Sequence, residues 1–124
     1  MTTNELVAAI AIALFIPTIA WALFGMVRAA SRTLSINSVI GVRLPSLMKN
    51  EESWFGGHAA AAPIFFWSAV TTSVFSVATC FVAGVESLYV GFLVVSVVSL
   101  IVGSTGGIVV AHRAAMAIPP DELR

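Results

Sequence analysis

Charge is scarce in this sequence. Only 10% of the 124 residues are Asp, Glu, Lys or Arg, whereas 59% are hydrophobic. A soluble domain carries roughly 25% charged residues, so too few are present here to cover a surface that faces water. The shortage indicates that lipid surrounds most of the chain. The formal net charge is zero, so no basic field would attract nucleic acid, and we expect no nucleic-acid partner.

Groups that carry chemistry are also few. Cys80 is the single cysteine, which excludes an intrachain disulfide. His58 and His112 lie far apart in the sequence, and no cysteine or carboxylate stands near them at ligand spacing. Nucleophile motifs, glycine-rich phosphate loops and HExxH sequences are missing. We therefore predict no enzyme, no catalytic residues, no metal site and no cofactor.

The chain has instead three long apolar runs, at residues 6–27, 59–83 and 88–111, none of which contains a charged residue or histidine. About 20 helical residues cross the hydrocarbon core of a bilayer. The runs therefore predict an all-α membrane protein, a single domain over residues 1–124 with three transmembrane helices. Proton relays and ion pathways need ionisable groups inside the membrane, so a coupled transporter is disfavoured.

The order of charges around the first run predicts the orientation. Residues 1–5 contain no Lys or Arg, whereas Arg28 and Arg32 follow the run. This is the reverse of a secretory signal, so we expect a retained helix with its N-terminus outside. The loop at residues 28–58 is the most basic segment and is predicted to be cytoplasmic, as is the tail at residues 112–124. Three crossings then place every Lys and Arg on the cytoplasmic side.

Part of the loop is predicted to be structured. Asn50 is a candidate helix N-cap, since its side chain can accept a bond from an unpaired backbone N–H. Glu51 and Glu52 would occupy the first turn, where the helix dipole favours negative charge. Gly56-Gly57 is expected to interrupt the helix. We therefore predict a short interfacial helix followed by a bend.

Small side chains recur every four residues in the second and third runs. They are Ser68, Thr72, Ser76 and Cys80 in the second run with Gly84 directly after it, and Ser99, Gly103, Gly107 and Ala111 in the third run. Faces of small residues let helix backbones approach closely. The connection between the two runs is very short, so the helices should be antiparallel neighbours whose small faces meet. The alternative is that one of these faces mediates homodimerisation.

The loop also carries a spaced motif, Asn-x3-Gly-x-Arg-x10-Trp-x3-His. Its residues are Asn37, Gly41, Arg43, Trp54 and His58. The motif follows one apolar run and enters the next, and in this it resembles the signature of the SdpI family, bacterial integral membrane proteins named for an immunity protein. Members often have Thr after the Arg, whereas this chain has Leu44-Pro45.

Each motif residue has a physical interpretation. Gly41 would permit a backbone turn that other residues resist, and Asn37 would cap or close that turn. Trp54 would anchor the loop at the membrane interface. Arg43 would bind a lipid headgroup or a carboxylate, with Glu51 and Glu52 as candidates. The two histidines are interpreted as amphipathic interfacial residues.

The resemblance implies a function. The family's namesake protects the cell from a secreted peptide toxin and holds a cytoplasmic repressor at the membrane. We therefore expect a multi-pass protein of the bacterial plasma membrane, with the lipid bilayer, a peptide toxin or a cytoplasmic regulator as partners. The alternative is a small accessory subunit of a larger envelope or respiratory membrane complex. Such a complex, or a homo-oligomer, would dock on the charge-free helices and their small faces.

Overall fold

The computed structural model of the protein describes residues 1–37 and 39–120. Its elements are helices α1 (Thr3–Ala30), α2 (Pro45–Met48), α3 (Glu51–Phe81) and α4 (Glu86–Met116). Three of them, α1, α3 and α4, are long and apolar enough to cross a membrane. The predicted all-α fold with three membrane helices is confirmed. Residues 121–124 of the predicted tail lie outside the described part of the chain.

The membrane helices are longer than the apolar runs. Helices α3 and α4 have 31 residues each. At 1.5 Å per residue this is about 46 Å, against a hydrocarbon core of about 30 Å. The additional length of α3 lies at its N-terminus, because the helix begins at Glu51 and the apolar run only at residue 59. The first turns of α3 therefore project beyond the hydrocarbon core, and the later motif residues lie on them.

The predicted bend at Gly56-Gly57 is wrong, because α3 is continuous through both glycines. The short helix between the first two membrane helices is α2, which begins at Pro45. Gly57 serves close packing: a Cβ atom there would lie 2.9 Å from Leu47 Cγ and 3.1 Å from the Ala111 carbonyl oxygen. The glycine therefore lets α2 and α4 approach α3.

The start of α3 follows the prediction. Asn50 is the N-cap, and its Oδ1 accepts a bond from the Ser53 N–H at 2.8 Å. Glu51 and Glu52 occupy the first turn. Pro63, which the apolar run would place in the first turns of a helix, lies instead in the interior of α3.

Helix α3 is the central element, since it packs against α1 on one side and α4 on the other. One cluster of buried residues joins all three helices with α2: Met26 and Ala29 from α1, Leu47 from α2, Trp54 and Ala61 from α3, and Ala111 and Ala115 from α4. The C-termini of α1 and α4 therefore lie beside the N-terminus of α3. At the other end of the protein, Ala8 packs with Ala83 and Tyr89.

The two ends differ in charge. All five described Lys and Arg residues lie at the end that holds the loop, which we call the basic end: Arg28, Arg32, Arg43, Lys49 and Arg113. The opposite end carries Glu5 and Glu86 in the first turns of α1 and α4. The described basic residues thus share one end, as three crossings require. The remaining one, Arg124, lies outside the described residues.

The small-residue faces of α3 and α4 meet midway along the two helices. Ser68 Oγ donates to the Ser99 carbonyl oxygen at 2.7 Å, and a Cβ atom on Gly103 would lie 2.0 Å from Ser68 Oγ. Thr72 is buried, and its hydroxyl donates to the Ser96 carbonyl at 3.4 Å. This part of the face is therefore used inside the chain.

The last two residues of the series in α3 do not take part. Cys80 is exposed, and Gly84 faces open space. Thr79, and not Cys80, is the buried residue of this turn, and it follows the buried Ser76. A helix turns 100° per residue, so a strict spacing of four drifts by about 40° at each step. Three steps after Ser68 the series has therefore left the α4 side. In α4, Gly107 packs against the Phe65 ring and not against a small residue.

Candidate functional site: the loop–helix junction

Four motif residues build one unit, which we call the loop–helix junction: Asn37, Gly41, Trp54 and His58. Asn37 closes the turn in the loop. Its Oδ1 accepts bonds from the N–H groups of Val39 at 2.9 Å and Ile40 at 2.7 Å. Its Nδ2 donates to the Ser35 carbonyl at 3.0 Å. The Asn37 side chain thus bonds backbone N–H groups two and three residues further along the chain. These bonds replace the backbone–backbone hydrogen bonds that a helix or strand would supply.

Gly41 lies where this turn meets α3, and two observations require glycine there. Its φ is +101°, in the left-handed region that favours glycine. A Cβ atom would also lie 2.8 Å from both His58 Nε2 and Trp54 Cη2. The backbone of the loop therefore rests directly on the two aromatic rings of α3.

His58 joins the loop to α3 through both ring nitrogens. The Val42 N–H donates to Nε2 at 2.9 Å, and Nδ1 lies 2.7 Å from the Trp54 carbonyl oxygen. A carbonyl can only accept, so Nδ1 carries the proton and Nε2 is the acceptor. Both bonds together require the neutral ring. The His58 side chain is fully buried.

Trp54 lies beneath the loop. Its Nε1–H donates to the Leu34 carbonyl at 2.7 Å, and its ring centroid lies 4.3 Å from that of His58. Trp54 therefore anchors the loop, as predicted, but the residue is 0% exposed, so it lies inside the protein and its predicted place at the membrane interface is wrong. The interfacial interpretation of His58 is wrong for the same reason. Both residues are on the side of α3 that the returning loop covers, which the pattern along α3 alone does not reveal.

Arg43, the fifth motif residue, follows the bonded Val42 and is exposed. Glu52, one of the two carboxylates suggested for Arg43, is held by Arg32 through two bonds of 2.9 and 2.8 Å. This hydrogen bonding, with the charge of the carboxylate, raises the pKa of the Arg32 guanidinium above its ordinary value. The pair ties the end of α1 to the start of α3 on the outside of the junction.

A second set of contacts connects α2 and the start of α3 to the C-terminal segment, and sequence reasoning missed it. Ser46 Oγ lies 2.8 Å from His112 Nδ1. Lys49 Nζ donates to the Ile118 carbonyl oxygen, and Asn50 Nδ2 donates to that of Pro119 at 3.3 Å. These contacts join residues more than 60 positions apart and involve no motif, so the sequence carries no signal for them.

The two histidines thus serve separate contacts. Among residues 1–37 and 39–120, no group of three or more His, Cys, Asp and Glu side chains is placed to hold a metal ion. In the junction, the polar groups of Asn37, Trp54 and His58 bond the loop backbone or α3. The arrangement fixes the path of the loop.

Three membrane helices and a loop fixed on the second of them define a multi-pass helical membrane protein. The sequence model of the SdpI/YfhL protein family matches residues 33–116. This is more than half of the chain, which therefore belongs to the SdpI/YfhL family. The match contains the junction, α3 and α4, and α1 lies outside it. No curated protein and no solved structure matches the chain.

Proposed function

We propose that this SdpI-like membrane protein is a non-enzymatic factor that protects its cell against a membrane-active peptide toxin, or senses one. The observation that supports the proposal is the construction of the junction. Asn37, Trp54 and His58 bond the loop backbone or α3, and Gly41 packs against the two rings, which gives the loop a fixed path. A protein of this kind acts through the shape that it presents to a partner.

In the orientation that we propose, the two kinds of partner would meet different surfaces. With the basic end in the cytoplasm of a bacterial cell, as the positive-inside tendency favours, a cytoplasmic regulator would meet the loop around Arg43. A peptide in the membrane would meet the lipid-facing sides of the helices, where large apolar side chains such as Trp67 and Ile101 are exposed. A change in the position of α3 caused by the peptide would then move the loop, because the junction fixes the loop to α3.

Deletion of the gene followed by challenge with a panel of membrane-active peptide toxins tests this function. We expect increased sensitivity to at least one peptide, restored by the wild-type gene and by Arg113→Gln, a charge removal away from the junction. His58→Ala should not restore resistance, because the loop loses its bonds to α3. Unchanged sensitivity of the deletion strain across a broad panel would contradict the proposal.

A second candidate is an accessory subunit of a larger envelope or respiratory complex. The observation that favours it is an open groove of about 430 Å³ between α3 and α4, lined by Pro63, Trp67, Thr71 and Val102 among others. A helix of another subunit would fill such a groove. Extraction in a gentle detergent and native electrophoresis distinguish the two candidates, since migration solely as a small homo-oligomer would exclude the subunit role.

A further inference from the structure

A second cleft lies at the basic end, between α1, the loop and α3. Its volume is about 240 Å³, and its lining is mostly apolar: Trp21, Ala22, Met26, Val39, Ile40, Gly41, Val42 and Phe65. Ligand pockets for whole small molecules usually measure roughly 300–1,000 Å³. A cleft of this size suits one linear apolar segment. Trp21 and Val39 are 56% and 72% exposed, so the cleft is open on the side of these two residues.

A line of side chains on α1 runs from the rim of this cleft to the end of the helix. The Trp21 and Phe24 rings stack with centroids 6.3 Å apart, and the Arg28 guanidinium lies 5.4 Å from the centre of the Phe24 ring. Arg28 is seven residues beyond Trp21, which is about 10 Å along the helix axis. From Trp21 at the rim of the apolar cleft, α1 thus carries a second aromatic ring and then a cation toward its C-terminal end.

The hydrogen bonds of Arg28 hold its guanidinium in position but do not neutralise its charge. Its Nε donates to Thr33 Oγ1 at 3.0 Å and its Nη2 to the Thr33 carbonyl at 3.3 Å, and both of these acceptors are uncharged. Arg32, four residues on, bonds a carboxylate. Arg28 is therefore a positioned cation that still attracts an anion, and guanidinium groups bind phosphate particularly well.

We propose that this cleft binds one anionic phospholipid, with the phosphate on Arg28 and an acyl chain passing Trp21 into the space beneath the loop. Lipid is favoured over a peptide because the order of groups along α1 is that of a phospholipid entering a bilayer. Basic sites beside membrane helices are suited to such headgroups. The lipid would fill the space between α1 and the loop, and would support the junction from the membrane side.

Native mass spectrometry of the purified full-length protein tests the site. The protein in detergent is titrated with phosphatidylglycerol or with phosphatidylcholine of the same acyl chains. We expect one phosphatidylglycerol to be retained in preference to phosphatidylcholine. Arg28→Gln should weaken its retention by roughly tenfold, since a charge-assisted bond is lost. Arg28→Lys should keep most of it. Arg113→Gln, a basic residue in the last turn of α4 at the same end, is the matched control and should retain the lipid.

Occupancy of the cleft has its own test. Ala22→Phe places a ring in the cleft and should lower retention of phosphatidylglycerol several-fold while Arg28 is intact. A phosphatidylglycerol with a photoreactive group in its acyl chain should label the wild-type protein at Trp21 or Val39, which keeps the test valid even where a variant fails to fold. Equal losses for Arg28→Gln and Arg113→Gln, no preference between the lipids, or labelling spread evenly over α1, α3 and α4 would each overturn the proposal.

Discussion

The two ends of the protein are built differently. At the basic end, Trp54, His58 and Leu47 are fully buried, and side chains bond a loop backbone. At the opposite end, α3 and α4 are joined by a short turn, Gly84 faces open space, and Phe81 is 84% exposed. The difference follows from the solvent. Helices in lipid satisfy their own backbone groups, whereas an irregular loop needs partners for each buried N–H and C=O.

This contrast matches the position of the five-residue motif in the loop and at the start of α3. A surface that faces lipid accepts almost any apolar residue, so many sequences fit the opposite end. The junction accepts few, because Asn37, Gly41, Trp54 and His58 each bond or contact another part of it. Specific residue types are therefore required at one end of the molecule and not at the other.

The largest expected effect comes from glycine. Gly41→Ala forces a residue with a Cβ into positive φ and against two rings, which we expect to cost about 3 kcal/mol of folding free energy. Gly84→Ala at the opposite end is the matched control and should change stability little, since nothing lies within 4 Å of its added methyl group. Thermal denaturation of both variants in detergent measures the difference. Equal melting midpoints for the two variants would show that both ends tolerate an added methyl group equally well.

The histidines give the next comparison. His58→Ala leaves the Val42 N–H without its acceptor in a partly buried site and removes a fully buried ring, and we expect a loss of about 2–3 kcal/mol. His112→Ala, which removes one bond from an exposed residue, should cost less than about 1 kcal/mol. Hydrogen exchange at the Val42 amide is the direct readout. Faster exchange is expected in the first variant and wild-type exchange in the second, so unchanged protection in His58→Ala would contradict the assigned bond.

Two glycines of α4 allow the same kind of comparison within the α3–α4 contact. Gly103→Ala places a methyl group 2.0 Å from Ser68 Oγ and should destabilise the α3–α4 contact by about 1–3 kcal/mol. Gly106→Ala meets only Ile64 at 3.9 Å, an ordinary contact, and should be close to neutral. Unfolding of each variant is followed as the concentration of a denaturing detergent is raised, and the midpoints rank the stability of the two variants. A stronger effect from Gly106 would mean that the faces do not meet as described.

The smallest effect is expected at the surface of the basic end. The Arg32 and Glu52 side chains are 59% and 60% exposed, so water and salt screen their attraction. Arg32→Gln should leave the melting midpoint unchanged within error at physiological salt. A clear loss of stability in this variant would show that surface charges, and not only the buried junction, stabilise the basic end.

Much of this architecture can be predicted from the chain alone. Runs of more than 20 uncharged residues predict membrane spans, and the basic residues lie in the loop after the first run and in the tail after the third. Local chemistry also gave the Asn50 cap and the turn at Asn37 and Gly41, since each depends on neighbours a few residues away.

Only the tertiary structure decided which way the aromatic residues of α3 face. Trp54 and His58 fit a helix surface directed to lipid as well as one directed to protein, because both environments are apolar and the periodicity is the same. Their burial depends on a loop that returns over α3, and the bonds to Leu34 and Val42 join residues 20 and 16 positions apart. The sequence by itself determined that three helices cross the membrane, and packing between distant segments determined how the loop is fixed to them.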